Sequence, residues 1–296
     1  MTNQSQPANP PKIGDNRYRR ITVTPQSGSI GALLGNVDMA EDLDDEVIGE
    51  IRQALLDHLV IFFDGQAHVT PDQQIAFARR FGDLVPYPMV KGLEGYPEIV
   101  PVVKLEHEKH NFGGLWHTDT TYMDVPPLGS ILLARELPPY GGDTLFANMY
   151  LAYETLSAPL REMLDKLTVI QSSGKGAVAQ SRKARIEEEG RDAKTAPVYV
   201  AEHPAVRTHP ETGRKALYVN SGHSIGFKEL TEEESRPLLD FLFAHQTRPE
   251  FTCRFVWREG AAAFWDNRAS QHNPINDYHG FKRVMHRVTI AGDKPF

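Results

Sequence analysis

The chain is 296 residues long, with 40% hydrophobic and 24% charged residues and a formal net charge of -7. That is an ordinary balance for a chain with a real core, and the acidity argues against a nucleic-acid partner. One cysteine excludes an intrachain disulfide and multi-cysteine zinc sites, and no apolar run approaches the roughly 18 residues of a membrane span. A cytoplasmic setting follows most simply from this cysteine usage. Residues 1–18 are polar and proline-rich and read as a disordered tail ahead of one domain, 19–296. A helix is expected over Asp44–Asp57, where Val47, Ile51 and Leu55 recur at helical spacing, followed by a buried strand over His58–Phe63. Thr70-Pro71-Asp72-Gln73 combines a capping box with proline at the first helical position, opening a helix that ends near Gly82. Strands are expected over Gly129–Glu136 and Asp143–Asn148, with turn signals at Pro138-Pro139 and Gly141-Gly142 between them. Ser157 is placed as the cap of a helix covering Leu160, Met163, Leu164 and Leu167. Residues 173–200 are polar, mixed in charge and break the strand rhythm; they read as a surface insertion or as a lid over a site. Thr231-Glu232-Glu233-Glu234 is a second capping box. Further strands are expected over Leu167–Gln171, Ala216–Val219, Phe251–Arg258, Ala261–Asp266 and Lys282–Ala291. Many short strands with polar turns point to a sandwich or barrel with helices packed outside it.

Twelve histidines invite a search for metal ligands. In Trp116-His117-Thr118-Asp119, an extended backbone puts His117 and Asp119 on one face, about 6–7 Å apart at Cα. One imidazole and one carboxylate are two thirds of a facial triad for non-haem Fe(II). Alone, such a tripeptide is a weak signal and reads more simply as a polar strand end. Trp265-Asp266-Asn267-Arg268-Ala269-Ser270-Gln271-His272 offers a distant second imidazole, whose plainer reading by itself is an exposed loop histidine bonded to the backbone. In the last strand Arg283, Met285, Arg287 and Thr289 share one face, and Val284, His286, Val288 and Ile290 the other. The first face is an anion-binding wall if it meets a cavity, and a solvated strand face if it does not.

These blocks, taken in order, resemble the taurine dioxygenase / 2,4-dichlorophenoxyacetate dioxygenase (TauD/TfdA) family of Fe(II)- and 2-oxoglutarate-dependent oxygenases. The similarity runs from about Ile21 to Phe296. Its landmarks are WHTDTTY at Trp116–Tyr122, PPLGSIL at Pro126–Leu132, GGDTLFAN at Gly141–Asn148, HPAVRTHPETGRKALYVN at His203–Asn220, and WDNRASQH through MHRVTIAGDKPF. The resemblance implies a mainly β fold with flanking helices, the double-stranded β-helix or cupin-like jelly roll. It implies iron ligation by His117, Asp119 and His272, and cosubstrate binding by Thr144 and Arg283. It gives Arg287 the anionic group of the substrate. Tyr87, Met89, Phe112 and His223 fall where the substrate pocket is expected. The implied cofactors are Fe(II), 2-oxoglutarate and O2. The implied reaction is hydroxylation of a C–H beside an anionic group of a small substrate, with a taurine-like organosulfonate preferred and giving aldehyde and sulfite. An aryloxyalkanoate or an alkyl sulfate ester is the alternative. A homo-oligomer, dimer or tetramer, is implied, with no nucleic-acid or membrane partner. A non-enzymatic cupin-like binder would be expected to have lost one of His117, Asp119, His272 or Arg283, and all four are present.

Overall fold

The computed structural model describes residues 17–296 except 88, 89, 112, 177–178, 181–182, 184–185 and 188–196. The chain begins with strands β1 (Thr22–Pro25) and β2 (Ala32–Gly35), helix α1 (Asp45–His58), β3 (Val60–Phe63) and α2 (Pro71–Arg79). There follow β4 (Ile99–Lys104), β5 (Gly129–Glu136), β6 (Thr144–Asn148), α3 (Met149–Glu154), α4 (Ala158–Leu164) and β7 (Thr168–Ser172). Then come β8 (Val200–Pro204), β9 (Val206–Thr208), β10 (Lys215–Leu217), β11 (Ser224–Phe227) and α5 (Glu232–Gln246). The chain closes with β12 (Thr252–Phe255), β13 (Ala262–Asp266), β14 (Ser270–Pro274) and β15 (Arg283–Ile290).

Among the described residues the major sheet has the order β1-β2-β3-β13-β5-β15-β4, antiparallel except for the β2–β3 pair. A minor sheet, β12-β6-β14, packs its apolar face onto it. The mixed strand order and the two facing sheets are those of a jelly roll. Strand alternation decides what lies between them. Val60, Phe62, Leu132, Trp265 and Met285 of the major sheet meet Phe146, Ala147 and Phe255 of the minor one. Phe62 stacks on Phe255 at 3.9 Å and meets Phe146 edge-on at 5.7 Å. The other face of the major sheet presents Ile61, Ile131, Leu133, Phe264, Val288 and Ile290 to α1 and α2. The period-two reading of the last strand therefore holds: its apolar side meets the helices, and its arginine side meets the space between the sheets.

Both capping boxes form, with Thr70 and Gln73, and Thr231 and Glu234, exchanging side-chain and backbone hydrogen bonds. Three expectations need correction. His58 is the last residue of α1 and not a strand residue; Leu59 turns left-handed (φ 63°) to cap the helix, and β3 starts one residue later. Ser157 occupies the N-cap position of α4 without a side-chain cap bond, and that helix stops at Leu164. The strand expected over Phe251–Arg258 is shorter, because a 3-10 turn (Pro249–Phe251) precedes it and only β12 pairs with β6. The expected tail falls almost wholly on residues 1–16, outside the described residues. The lid reading falls largely on undescribed residues of 173–200, yet the two ends of that stretch are pinned together. The Ser173 amide donates to the Tyr199 carbonyl at 2.9 Å, and the Tyr199 amide donates to Ser173 Oγ at 2.8 Å. No helix among the described residues is long and apolar enough to cross a membrane.

Candidate metal and cosubstrate centre

His117 and His272 are cross-strand partners. The His117 amide donates to the His272 carbonyl at 3.0 Å, and the His272 amide returns the bond at 2.9 Å. Residues facing each other across such a pair project to the same side, and the two imidazole rings lie 4.2 Å apart, centroid to centroid. The Thr118 hydroxyl donates to the Ser270 carbonyl at 3.0 Å, continuing the junction. Two residues after His117, Asp119 returns to the imidazole side, and Thr120 then bends the chain with a left-handed φ of 45°. The result is a buried cluster. Asp119 Oδ1 lies 3.7 Å from His117 Nε2 and 3.9 Å from His272 Nε2, and the three donor atoms sit within 4.8 Å of one another.

The surroundings prepare these atoms as ligands. His117 Nδ1 faces the Leu115 carbonyl at 2.7 Å; an N–H there leaves Nε2 as a lone pair aimed at the cluster. Burial, then the neighbouring His117, pushes the His272 imidazolium down to about 3, so that ring is neutral near pH 7. For Asp119 burial acts upward. The Arg287 guanidinium first, then the His272 and His117 rings where acid protonates them, and the hydrogen bond from Ser130 outweigh it and hold the carboxyl well below the usual carboxylate range. The Ser130 hydroxyl donates to Oδ2 at 3.0 Å, and the Asn267 amide reaches the same oxygen at 3.5 Å. Trp265 Nε1 donates to Asn267 Oδ1 at 3.0 Å and fixes that amide. Oδ1 is thus left for the cluster and for Arg287, whose Nη1 stands 3.2 Å away. At Gly113, with φ +76°, a Cβ would lie 3.0 Å from His117 Cε1, so only glycine lets the backbone pass the ring there.

The cluster opens onto a cavity lined by Leu132, Phe146, Thr144, Tyr278, Arg283 and Arg287 among others. Arg283 is buried, and its Nε and Nη2 have no hydrogen-bond partner among the described residues. Burial lowers its pKa, yet a guanidinium stays charged. A buried cation with orphaned donors is costly unless an anion completes it. Thr144 stands in the same wall, and Trp257 Nε1 donates to its Oγ1 at 3.0 Å. The residues therefore fit a divalent metal, through a His/Asp/His set with open positions, and an anionic ligand beside it.

The structure thus brings together His117, Asp119, His272, Thr144, Arg283 and Arg287. Tyr87 stands near them: its ring centre is 4.9 Å from the Arg287 guanidinium, and its hydroxyl is 3.1 Å from that of Tyr122. His223 is buried and reaches the site through the His117 ring, 6.0 Å away, with Nδ1 held at 3.2 Å by Asn220 Oδ1. Met89 and Phe112 lie outside the described residues. Sequence reasoning missed Ser130, Asn267, Trp257 and Lys104. Only Lys104 left a trace, as the single charge closing an apolar run.

Residues 22–289 match the family model described as taurine catabolism dioxygenase TauD, TfdA family. The chain is 38% identical over 280 residues to an α-ketoglutarate-dependent sulfate ester dioxygenase of Pseudomonas putida, covering 93% of this chain and 91% of that one. It is 34% identical to an (S)-phenoxypropionate/α-ketoglutarate-dioxygenase of Sphingobium herbicidovorans, covering 92% and 95%. Among solved structures, a taurine dioxygenase from Burkholderia xenovorans is 40% identical and superposes with a TM-score of 0.79 over 94% of this chain and 91% of that one. With the family matched over nearly the whole fold and the buried His-Asp-His cluster inside the matched span, this chain belongs to the TauD/TfdA family of α-ketoglutarate-dependent dioxygenases.

Proposed function

We propose that the protein hydroxylates a C–H beside an anionic group of a small organic substrate, using Fe(II) and 2-oxoglutarate. The observation that carries this is that two members of the His117/Asp119/His272 cluster, the imidazoles, line the same cavity as Arg283, whose Nε and Nη2 have no hydrogen-bond partner among the described residues. Bound Fe(II) and 2-oxoglutarate supply the activation of O2 and the oxidising power for the C–H step. The chain's own residues hold and orient. His117 and His272 offer lone pairs, and Asp119 offers Oδ1 because Ser130 and Asn267 occupy Oδ2. Arg283 and Thr144 take the dicarboxylate, and arginine suits a carboxylate through its planar fork. Arg287 orients the anionic group of the substrate near the cluster, with Tyr87 against its face. The apolar wall of Val102, Leu132, Phe146 and Trp265 excludes water from the reacting centre.

For the substrate we favour an organosulfonate, whose hydroxylated carbon would collapse to aldehyde and sulfite. The similarity to the Burkholderia xenovorans taurine dioxygenase supports a sulfonate. An alkyl sulfate ester is the second reading, supported by the similarity to the Pseudomonas putida relative. A succinate-release screen over alkanesulfonates, alkyl sulfates, aryloxyalkanoates and taurine tests both. Turnover of alkanesulfonates with sulfite release is expected. Turnover confined to aryloxy acids would overturn the sulfur-anion preference.

A further inference from the structure

The cavity wall holds one cation more than the reading above uses. Lys104 closes β4 after the run Ile99-Val100-Pro101-Val102-Val103, and only 2% of it is exposed. Its antiparallel partner in β15 is Arg283. Directly opposed residues project to one face of a sheet, with Cβ atoms about 4.5–5.5 Å apart. Both side chains line the cavity. The Lys104 ammonium faces the Tyr278 carbonyl at 3.5 Å and the Tyr278 ring at 4.4 Å, neither of which carries a formal negative charge. Asp143 is the carboxylate whose charge reaches Arg283, and Arg254 already holds it at 2.6 Å.

Like charges directly opposed across strands destabilise a sheet, and burial strengthens the repulsion. A wall that keeps Lys104 and Arg283 together is prepared for an anion from outside the chain. Its place selects which anion. Arg287 adjoins Asp119, whereas Arg283 lies four residues earlier in the strand, about 13 Å along it. A carboxylate at the Lys104–Arg283 pair is therefore the one remote from the metal cluster.

We propose that Lys104 and Arg283 jointly seat the distal carboxylate of the dicarboxylate cosubstrate, and that Lys104 makes the site select 2-oxo acids with a second carboxylate. This rests on the dioxygenase reading above. Arg283 supplies the planar fork, and Lys104 supplies a compact charge with donors beyond the one spent on Tyr278. A 2-oxo acid without the second carboxylate would leave both cations uncompensated.

The test is calorimetric titration of the full chain loaded with Zn(II), using 2-oxoglutarate and, separately, 2-oxobutyrate. Lys104→Met should raise the Kd for 2-oxoglutarate at least about tenfold and change that for 2-oxobutyrate by less than about twofold. Lys104→Gln, which keeps a polar head in the wall, should show the same pattern and stands as the comparison if the methionine variant does not fold. Lys104→Arg should recover most of the lost affinity. A 2-oxoglutarate Kd within about twofold of wild type in the neutral variants, or an equal loss for both acids, would overturn the proposal. Failure of the wild type to bind 2-oxoglutarate at all would instead overturn the cosubstrate reading and this assignment with it.

Discussion

Asp119 carries the heaviest demand of any single side chain. It is buried, it brings one oxygen beside the two imidazoles, and its other oxygen is held by Ser130 and Asn267. Asp119→Ala removes one of three donors and leaves Arg287 facing an uncompensated space. Metal binding by that variant, followed by calorimetry with Co(II), should fall beyond detection, with succinate release abolished. Ser130→Ala removes only the hydroxyl that fixes the carboxylate, and it should weaken metal affinity about 10–100-fold while the fold persists. An unchanged affinity would mean that Asn267 alone orients Asp119. The three proposed ligands were legible through the family resemblance, because neither the HxD tripeptide nor the WDNRASQH block marks a ligand by itself, and the fold brings all three side chains together. Ser130 and Asn267 were not legible as partners of Asp119, since serine in a strand and asparagine in a turn carry no spacing signal; only the fold brings them to one carboxylate. Alternation put Arg283 and Arg287 on one face, but their inward direction came from the fold, and Lys104 required the β4–β15 register.

At the scale of elements, the site depends on the contact between the two sheets. β6 carries Thr144, β14 carries His272, and both belong to the minor sheet, whereas Arg283 and Arg287 belong to β15 of the major one. Phe62, stacked on Phe255 and edge-on to Phe146, fastens β3 to that minor sheet. Phe62→Ala should cost about 3–5 kcal/mol in chemical denaturation, and it should loosen 2-oxoglutarate binding even though Phe62 touches no ligand. Thr70→Ala, which removes the cap of α2 on the far side of the major sheet, should cost about 1 kcal/mol and leave binding unchanged. The helices with capping boxes were readable because their start signals are local. His58 was misassigned because an apolar run gives no sign of where a helix yields to a strand; the left-handed Leu59 makes that boundary. β14 was unread for a related reason. It is polar in sequence, and its burial comes from pairing with β6 and from the bridge to His117.

Across the whole molecule, buried histidines set the response to acid. Burial, and then the charge of His117 or Arg135, pushes His272 down to about 3 and His286 down to about 4. His58, His203 and His245 are lowered in the same sense, burial being the first cause. An unfolded histidine titrates near 6.5. Between that value and the folded ones, the unfolded chain binds more protons, so stability is complete above about pH 6.5 and declines as the pH falls toward 4 and 3. The melting temperature of metal-free protein should therefore drop steadily between pH 7 and pH 4. His286→Gln, remote from the His-Asp-His cluster in sequence and facing Arg135, should flatten that slope. A melting temperature independent of pH over that range would mean that these rings are protonated in the fold. The single-cup architecture itself followed from the sequence only through the family resemblance, because short strands with polar turns fit several all-β folds alike. What the cup is for can be tested at once. Metal-free protein is given Fe(II) and 2-oxoglutarate without oxygen, and its visible absorption is recorded. A weak metal-to-ligand charge-transfer band that saturates with Fe(II) and is absent from Asp119→Ala is expected; no band in the wild type, with no succinate formed from any substrate in air, would contradict the dioxygenase reading.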